Sequence, residues 1–251
     1  MRDYELEINK RVEFIQGIVK SAGAKGIVFG NSGGKDSALA GILCKMAEDD
    51  TLGIIMPCGS KQNYGSDLSD AEILAKQFNI ATRIIDLSGA REEIVHAIAG
   101  EGGTSISASG STNISDAALA NIAPRLRMTA LYTVAASENR LVAGTGNRSE
   151  IYMGYFTKWG DGASDFNPIG DLTVTEVFEF LRFLNAPSSI TDKAPSAGLF
   201  DGQTDEGEMG VTYKSIDEYI MTGGTDERSK QIIDRYHRVS EHKRNMPAVY
   251  K

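Results

Sequence analysis

Two stretches of this chain carry residues whose types and spacing suit chemistry. The first is Gly30-Asn31-Ser32-Gly33-Gly34-Lys35-Asp36-Ser37. The apolar run Ile27-Val28-Phe29 enters it, and Ala38-Leu39-Ala40-Gly41-Ile42-Leu43 leaves it with helical character. A strand, a tight glycine turn and the first turn of a helix are predicted. Small residues let backbone N–H groups close around an oxyanion, and a helix N-terminus adds unpaired donors and about half a positive charge. Such a turn binds phosphate. A Walker-type loop built on Gly34-Lys35 needs glycine at 29 and a hydroxyl at 36, where the chain has Phe29 and Asp36. A glycine turn capped by Asp36 or Ser37, with no ligand, is the bland alternative.

The second stretch, Thr145-Gly146-Asn147-Arg148-Ser149-Glu150, follows the apolar Leu141-Val142-Ala143 and leads to Gly154–Gly162. Gly144-x-Gly146 is half of a dinucleotide fingerprint, with Ser149 where the third glycine belongs. What the stretch offers is Glu150, a carboxylate early in a helix after a parallel strand, at the sheet edge that also carries Asp36. Two carboxylates beside a phosphate turn suit Mg²⁺. A solvated Glu150 on a helix surface accounts for the residue equally well.

Alternating strands and helices must position these groups. Helical spacing marks residues 2–21, 67–78, 92–99, 116–138 and 173–184, with Pro124 expected to interrupt or restart the fourth of these. Strands are predicted at 26–30, 51–56, 81–86 and 140–144. This order implies right-handed β-α-β units and a parallel sheet in one α/β domain spanning 1–251. Two glycine- or proline-rich stretches, 100–113 and 195–210, are expected to be surface loops that act as lids. From Tyr213 the tail is helical and strongly charged.

Composition excludes several classes. A net charge of -8 over 251 residues argues against general nucleic-acid binding. No apolar run reaches the ~18 residues of a membrane helix. Cys44 and Cys58 lack ligand spacing and read as core or loop thiols in a reducing cytosol, so a cytoplasmic protein is expected.

Ser32-Gly33-Gly34-Lys35-Asp36-Ser37 resembles the pyrophosphate loop of enzymes that cleave ATP between its α and β phosphates. Several further motifs are similar to ammonia-dependent NAD synthetases. They are Asn121–Met128, Gly144–Gly162, Pro168–Leu172, Pro195–Leu199, Gly202–Glu206 and Glu241-His242-Lys243-Arg244, in order along the chain. The resemblance implies a Rossmann-like doubly wound parallel sheet, adenine nucleotide alpha-hydrolase-like, with a helical C-terminal tail and no glutaminase domain. It implies amidation of deamido-NAD to NAD with free ammonia, through an acyl-adenylate, with release of AMP and pyrophosphate. ATP is then expected on Gly30, Asn31, Ser32, Gly33, Gly34, Lys35, Asp36, Ser37, Met56, Thr145 and Ser196. Mg²⁺ is expected on Asp36 and Glu150, and deamido-NAD on Arg125, Lys158, Asp165, His242 and Lys243. Asp36, Glu150 and Lys158 are the expected catalytic residues. Several of these positions lie across a two-fold interface in the family, so the resemblance also implies a homodimer.

Two departures from the family pattern matter. Val174 stands where the family commonly has a lysine on ATP phosphate, and Ile55 where many members have arginine. Lys35 and Lys61 are the expected compensating cations, unless both are ordinary solvated lysines. Rival readings are weaker. A tRNA-thiolating relative would show clustered cysteines and a basic surface, a nucleotide sensor has no need of Glu150 and Lys158, and an NAD-dependent oxidoreductase is opposed by the broken fingerprint.

Overall fold

The structure is a computed structural model that describes residues 2–59, 64–99, 114–193 and 204–250. After α1 (Tyr4–Ala22), β1 (Gly26–Gly30) runs into α2 (Lys35–Ala47), followed by β2 (Thr51–Ile55), α3 (Ser66–Gln77), β3 (Ala81–Ile84) and α4 (Ser88–Ala99). The chain continues through α5 (Asp116–Ala120), α6 (Ile122–Glu138), β4 (Arg140–Val142), α7 (Arg148–Met153), α8 (Val174–Phe183) and α9 (Ser188–Thr191). It closes with α10 (Asp205–Met209), α11 (Tyr213–Thr222), α12 (Glu227–Val239) and α13 (Glu241–Arg244).

The four strands form a parallel sheet in the order β3-β2-β1-β4. The chain winds outward from β1 to β3, then returns to the opposite side of β1 as β4. Strand order therefore reverses between β1 and β4. In open parallel sheets the crevice for a ligand lies at that reversal, beyond the carboxyl ends of the strands. Gly30 ends β1 and Val142 lies at the end of β4, so both predicted chemical stretches emerge at this point.

Apolar residues on both faces of the sheet hold it in place. Ile27 and Phe29 of β1 pack with Leu39, Ile42 and Leu43 of α2 and with α1 and α8 on one side. Val28, Leu52 and Ile54 pack with Met128, Leu131 and Ala135 of α6 on the other. Gly41 and Gly53 leave room for the Phe29 ring, which is fully buried between them. Burial of an aromatic or branched side chain contributes roughly 1.5–3 kcal/mol, so β1 is the best-anchored strand.

The break near Pro124 falls at Asn121, which caps α5 and begins α6. Pro124 sits in the first turn of α6, where its missing N–H costs nothing. The stretch 195–210, expected to be a surface loop, holds α10 within its described part, and Met209 of that helix is buried. The loop predicted at 100–113 lies outside the described residues, as does 195–203 of the second predicted lid. Cys44 and Cys58 are both free and buried, and burial raises both thiols.

Candidate active site

The turn after β1 is built by its own small side chains. Gly33 has φ +73, and a Cβ there would run into the Asp67 carbonyl, so glycine is required. Asn31 fixes the entry, with its N–H bonded to Ile54 O at 2.8 Å and its Nδ2 to Ala71 O at 3.0 Å. Ser37 Oγ donates to Gly34 O and lies 3.0 Å from Ser32 Oγ. Gly34 at the start of α2 supplies no side-chain cap. The first amide groups of α2 are thus directed at whatever occupies the turn, which is the requirement for a phosphate.

After β4, Asn147 begins α7 with a capping box. Its Oδ1 accepts from Glu150 N at 3.0 Å, while Glu150 Oε2 accepts from Asn147 N at 3.4 Å. Asn147 Nδ2 also donates to Asp36 Oδ1 at 3.0 Å. One fully buried asparagine therefore ties the two carboxylates together across the sheet reversal. Lys35 completes the group. Its Nζ lies 2.6 Å from Asp36 Oδ2 and 3.4 Å from Glu150 Oε1, with the Tyr213 ring 5.6 Å away. Asp205 adds a third carboxylate, which accepts from Tyr213 Oη at 3.0 Å.

Electrostatics follow from this crowding. Burial, and then the neighbouring Asp36 charge, push the Glu150 carboxyl well above the ordinary carboxylate range, against the pull of Lys35. Burial disfavours the Lys35 ammonium, but Asp36, Glu150 and the hydrogen bond to Asp36 outweigh it and raise the group. The carboxylates outnumber the cation, an imbalance typical of sites that bind or react.

These residues line one end of a cavity of ≈ 1010 Å³. It runs past Thr145, Met56 and Arg127 to Phe156, Asp161 and Lys243. Its volume matches the upper range of ligand pockets, about 1,000 Å³. At the far end Lys243 Nζ donates to Gly154 O and Phe156 O, each at 2.8 Å. Arg125 Nε reaches Lys158 O at 3.3 Å, and Lys158 Nζ reaches His242 O at 2.6 Å. Trp159, with φ 64 and 57% exposed, lies 5.3 Å beneath the Lys158 ammonium. A left-handed backbone is costly for so bulky a residue, and strain of this kind collects at functional sites.

A matching sequence pattern covers most of the chain: the NAD synthase family model spans residues 7–247. This chain belongs to the NAD synthase family. Membership makes it a ligase that forms the carbon–nitrogen bond of NAD with ATP as a substrate. The NAD synthase chain is 45% identical over 248 residues to the NH(3)-dependent NAD(+) synthetase of Carboxydothermus hydrogenoformans, covering 98% of each. It is 40% identical over 257 residues to that of Archaeoglobus fulgidus, covering 98% of this chain and 97% of the other. Among solved structures, NMN synthetase from Francisella tularensis has a TM-score of 0.90 at 35% identity, covering 100% of this chain and 99% of that one. The NH3-dependent NAD synthetase from Campylobacter jejuni has a TM-score of 0.78 at 30% identity, with 100% of both covered.

Against the sequence expectations, the structure groups Gly30, Asn31, Ser32, Gly34, Lys35, Asp36, Ser37, Met56, Thr145 and Glu150 on this NAD synthase cavity. Gly33 shapes the turn from beneath, against Asp67. Arg125, Lys158 and His242 are linked by hydrogen bonds, His242 is next to Lys243 in the chain, and of the four only Lys243 lines the cavity. Asp165 does not join them. It is exposed, accepts from Tyr132 Oη at 3.1 Å, and binds the β4 edge through Val142 N at 2.7 Å. Ser196 and Lys61 lie outside the described residues. Val174 is buried in an apolar cluster with Met153, Met209 and Ile216 and does not line the cavity. Lys35 points into the carboxylates instead of over the turn. Near Ile55, Arg127 donates from Nε to Met56 O at 3.0 Å and lines the cavity, a cation close to the departed one.

Sequence reasoning missed Asn147, Asp205, Tyr213 and Arg127. The N-x-x-E spacing of Asn147 and Glu150 is a legible capping signature. Asp205 lies in the Gly202–Glu206 motif that shares in the resemblance, but its spacing alone does not point it at a site more than fifty positions back along the chain.

Proposed function

We propose that this chain amidates deamido-NAD to NAD with free ammonia through an acyl-adenylate, and that the β1–α2 turn and the Asp36–Asn147–Glu150 group perform the activation. A carboxylate is a poor electrophile until its oxygen is made a leaving group. The nicotinate carboxylate attacks the α-phosphorus of ATP, pyrophosphate leaves, ammonia attacks the resulting acyl-adenylate, and AMP leaves. The protein's task is to position and neutralise more than to react. Backbone amides of Ser32–Ser37 hold the β and γ phosphates, with Thr145 and Met56 beside the nucleotide. Ser196 is proposed to contribute its hydroxyl to ATP.

The donor set fits Mg²⁺. Two carboxylates held by one asparagine, completed by phosphate oxygens and water, is how Mg²⁺ commonly binds beside a nucleotide. Among the described residues no group of three or more His, Cys, Asp or Glu could hold a metal, and phosphate oxygens of the nucleotide would join Asp36 and Glu150 in the shell. Bound there by Asp36 and Glu150, Mg²⁺ would neutralise the departing pyrophosphate. Asn147 keeps the two carboxylates at a fixed separation, and Tyr213 orients Asp205.

The cluster of Arg125, Lys158, His242 and Lys243 holds the phosphates of deamido-NAD at the opposite end. Exposed Tyr132 and Trp159 beside it support a homodimer in which Asp165 meets the second subunit. Among the described residues no helix is long and apolar enough to cross a membrane, and we place the protein in the cytoplasm.

The observation that carries this reading is a phosphate turn and paired carboxylates at one end of a single cavity, with Lys243 at the other. Mass-spectrometric detection of NAD and AMP from deamido-NAD, ATP, Mg²⁺ and ammonium tests it. A second reading is favoured by the higher TM-score to the NMN synthetase, in which deamido-NMN is the better acceptor. Competition between the two acceptors in one reaction decides, as the ratio of products gives the ratio of kcat/KM.

A further inference from the structure

A side-chain cation lies against both carboxylates of the site. Lys35 Nζ lies within 2.6 Å of Asp36 and 3.4 Å of Glu150. Only 7% of the Lys35 side chain is exposed, where lysine ordinarily keeps its ammonium in water. The position is imposed by the backbone. Lys35 opens α2, directly before Asp36, with its stem enclosed and the Tyr213 ring behind it.

An ammonium and a divalent ion cannot share this seat, since like charges roughly 4 Å apart in a buried setting repel strongly. Asp205 offers another place for the ammonium. It is buried beside the same cavity, its charge already bears on Lys35, and Tyr213 fixes it.

We propose that Lys35 is a resident cation in the metal seat, which keeps divalent ions out of the nucleotide-free protein and moves toward Asp205 when metal arrives with the triphosphate. The proposal rests on the reading of Asp36 and Glu150 as metal ligands. Lys35 is thereby a positioning residue. It keeps two buried carboxylates from repelling each other before the substrate is present, and it makes metal entry conditional on the nucleotide. This role differs from replacing the cation lost at Val174.

Mn²⁺ binding followed by electron paramagnetic resonance tests the idea without turnover. Wild-type protein is expected to bind Mn²⁺ weakly alone and tightly with a non-hydrolysable ATP analogue. Lys35→Met is expected to bind Mn²⁺ without nucleotide about 10- to 100-fold more tightly than wild type. Lys35→Met/Glu150→Gln is expected to lose that gain. Equal nucleotide-free affinity in wild type and Lys35→Met overturns the proposal while leaving the metal site intact. Mn²⁺ binding with the analogue that is indifferent to Glu150→Gln overturns the metal reading itself. Should Lys35→Met not fold, wild-type crystals soaked in Mn²⁺ serve instead. Anomalous density between Asp36 and Glu150 without nucleotide contradicts the proposal. Its appearance only with the analogue, with Lys35 displaced toward Asp205, supports it.

Discussion

Two clusters of charge in this molecule are assembled on different terms. Arg2 and Arg11 bind α1 to the chain around Asp171 and to α8. Arg11 grips both oxygens of Asp171, at 2.7 and 2.9 Å, and also reaches Glu7 at 2.8 Å and Pro168 O at 2.5 Å. Arg2 takes Glu176 at 2.7 Å and Asp171 at 2.9 Å. The Asp171 side chain remains 54% exposed, and although burial works against it, the Arg11 hydrogen bonds and charge hold its carboxyl below the ordinary range. Around Lys35 the terms reverse. The single ammonium faces Asp36, Glu150 and Asp205, its own side chain is 7% exposed, and Glu150 is pushed up. Forked guanidinium pairs with access to water make a scaffold clamp. Buried carboxylates with too little positive charge carry a cost in stability that, on the proposed reading, a metal–nucleotide complex relieves.

The largest expected break in this comparison is in turnover. Asp36→Asn and Glu150→Gln should each lower kcat about 100-fold or more, and the double variant should be little worse than either single, because one loss already disables the unit. Steady-state assays with melting curves as a folding control check this. Activity of Glu150→Gln within about threefold of wild type would reduce Glu150 to a helix cap. Arg11→Met should act on the other cluster. Losing charge-assisted bonds worth roughly 1.5–3 kcal/mol should lower Tm by roughly 4–10 °C, with turnover per folded molecule within about twofold.

Smaller effects sharpen the contrast. Asn147→Asp keeps a side chain able to cap α7 but faces Asp36 with another carboxylate. It should slow turnover by about tenfold and lower Tm by several degrees, since the new carboxylate is buried 3.0 Å from Asp36, as scanning calorimetry can show. Glu150→Gln retains the capping box and removes a strained charge, so its Tm should rise, by the equivalent of about 0.5–1 kcal/mol. The two clusters also differ in sign with pH. A depressed Asp171 carboxyl contributes stability present above the unfolded pKa and lost as pH falls through the folded value, a window below about pH 4. The stability gap between wild type and Arg11→Met should therefore narrow there in acid-unfolding curves. Glu150, raised in the folded state, contributes the opposite slope, its penalty easing as pH falls.

The elements were legible because apolar periodicity separates strand from helix cleanly in this chain. The phosphate turn was legible because its small residues sit between a strand and a helix. Boundaries shifted by one to four residues, most at Ser88, where α4 begins four residues before its expected start, while the helix end at Glu138 falls where expected. The site was legible only in part. Asp36 and Glu150 could be placed at one sheet edge from topology, but their link through Asn147 is a tertiary contact across 111 positions. Lys35 was expected to serve the phosphates because the direction of a lysine stem depends on what encloses it. Here Tyr213 and Asp205 come from a stretch read as a lid and a charged tail. Asp165 illustrates the converse: spacing brings it near Lys158 in sequence, while its hydrogen bonds turn it to Tyr132 and β4.

On the proposed reading, the Asp36–Asn147–Glu150 group acts in activating the carboxylate, before ammonia takes part. Rapid-quench analysis with α-labelled ATP and deamido-NAD, in the absence of ammonium, isolates that step. Wild-type protein is expected to accumulate acyl-adenylate in an amount comparable with its active sites, and Glu150→Gln to form it about 100-fold more slowly. Formation of the adenylate by Glu150→Gln at the wild-type rate would contradict the account.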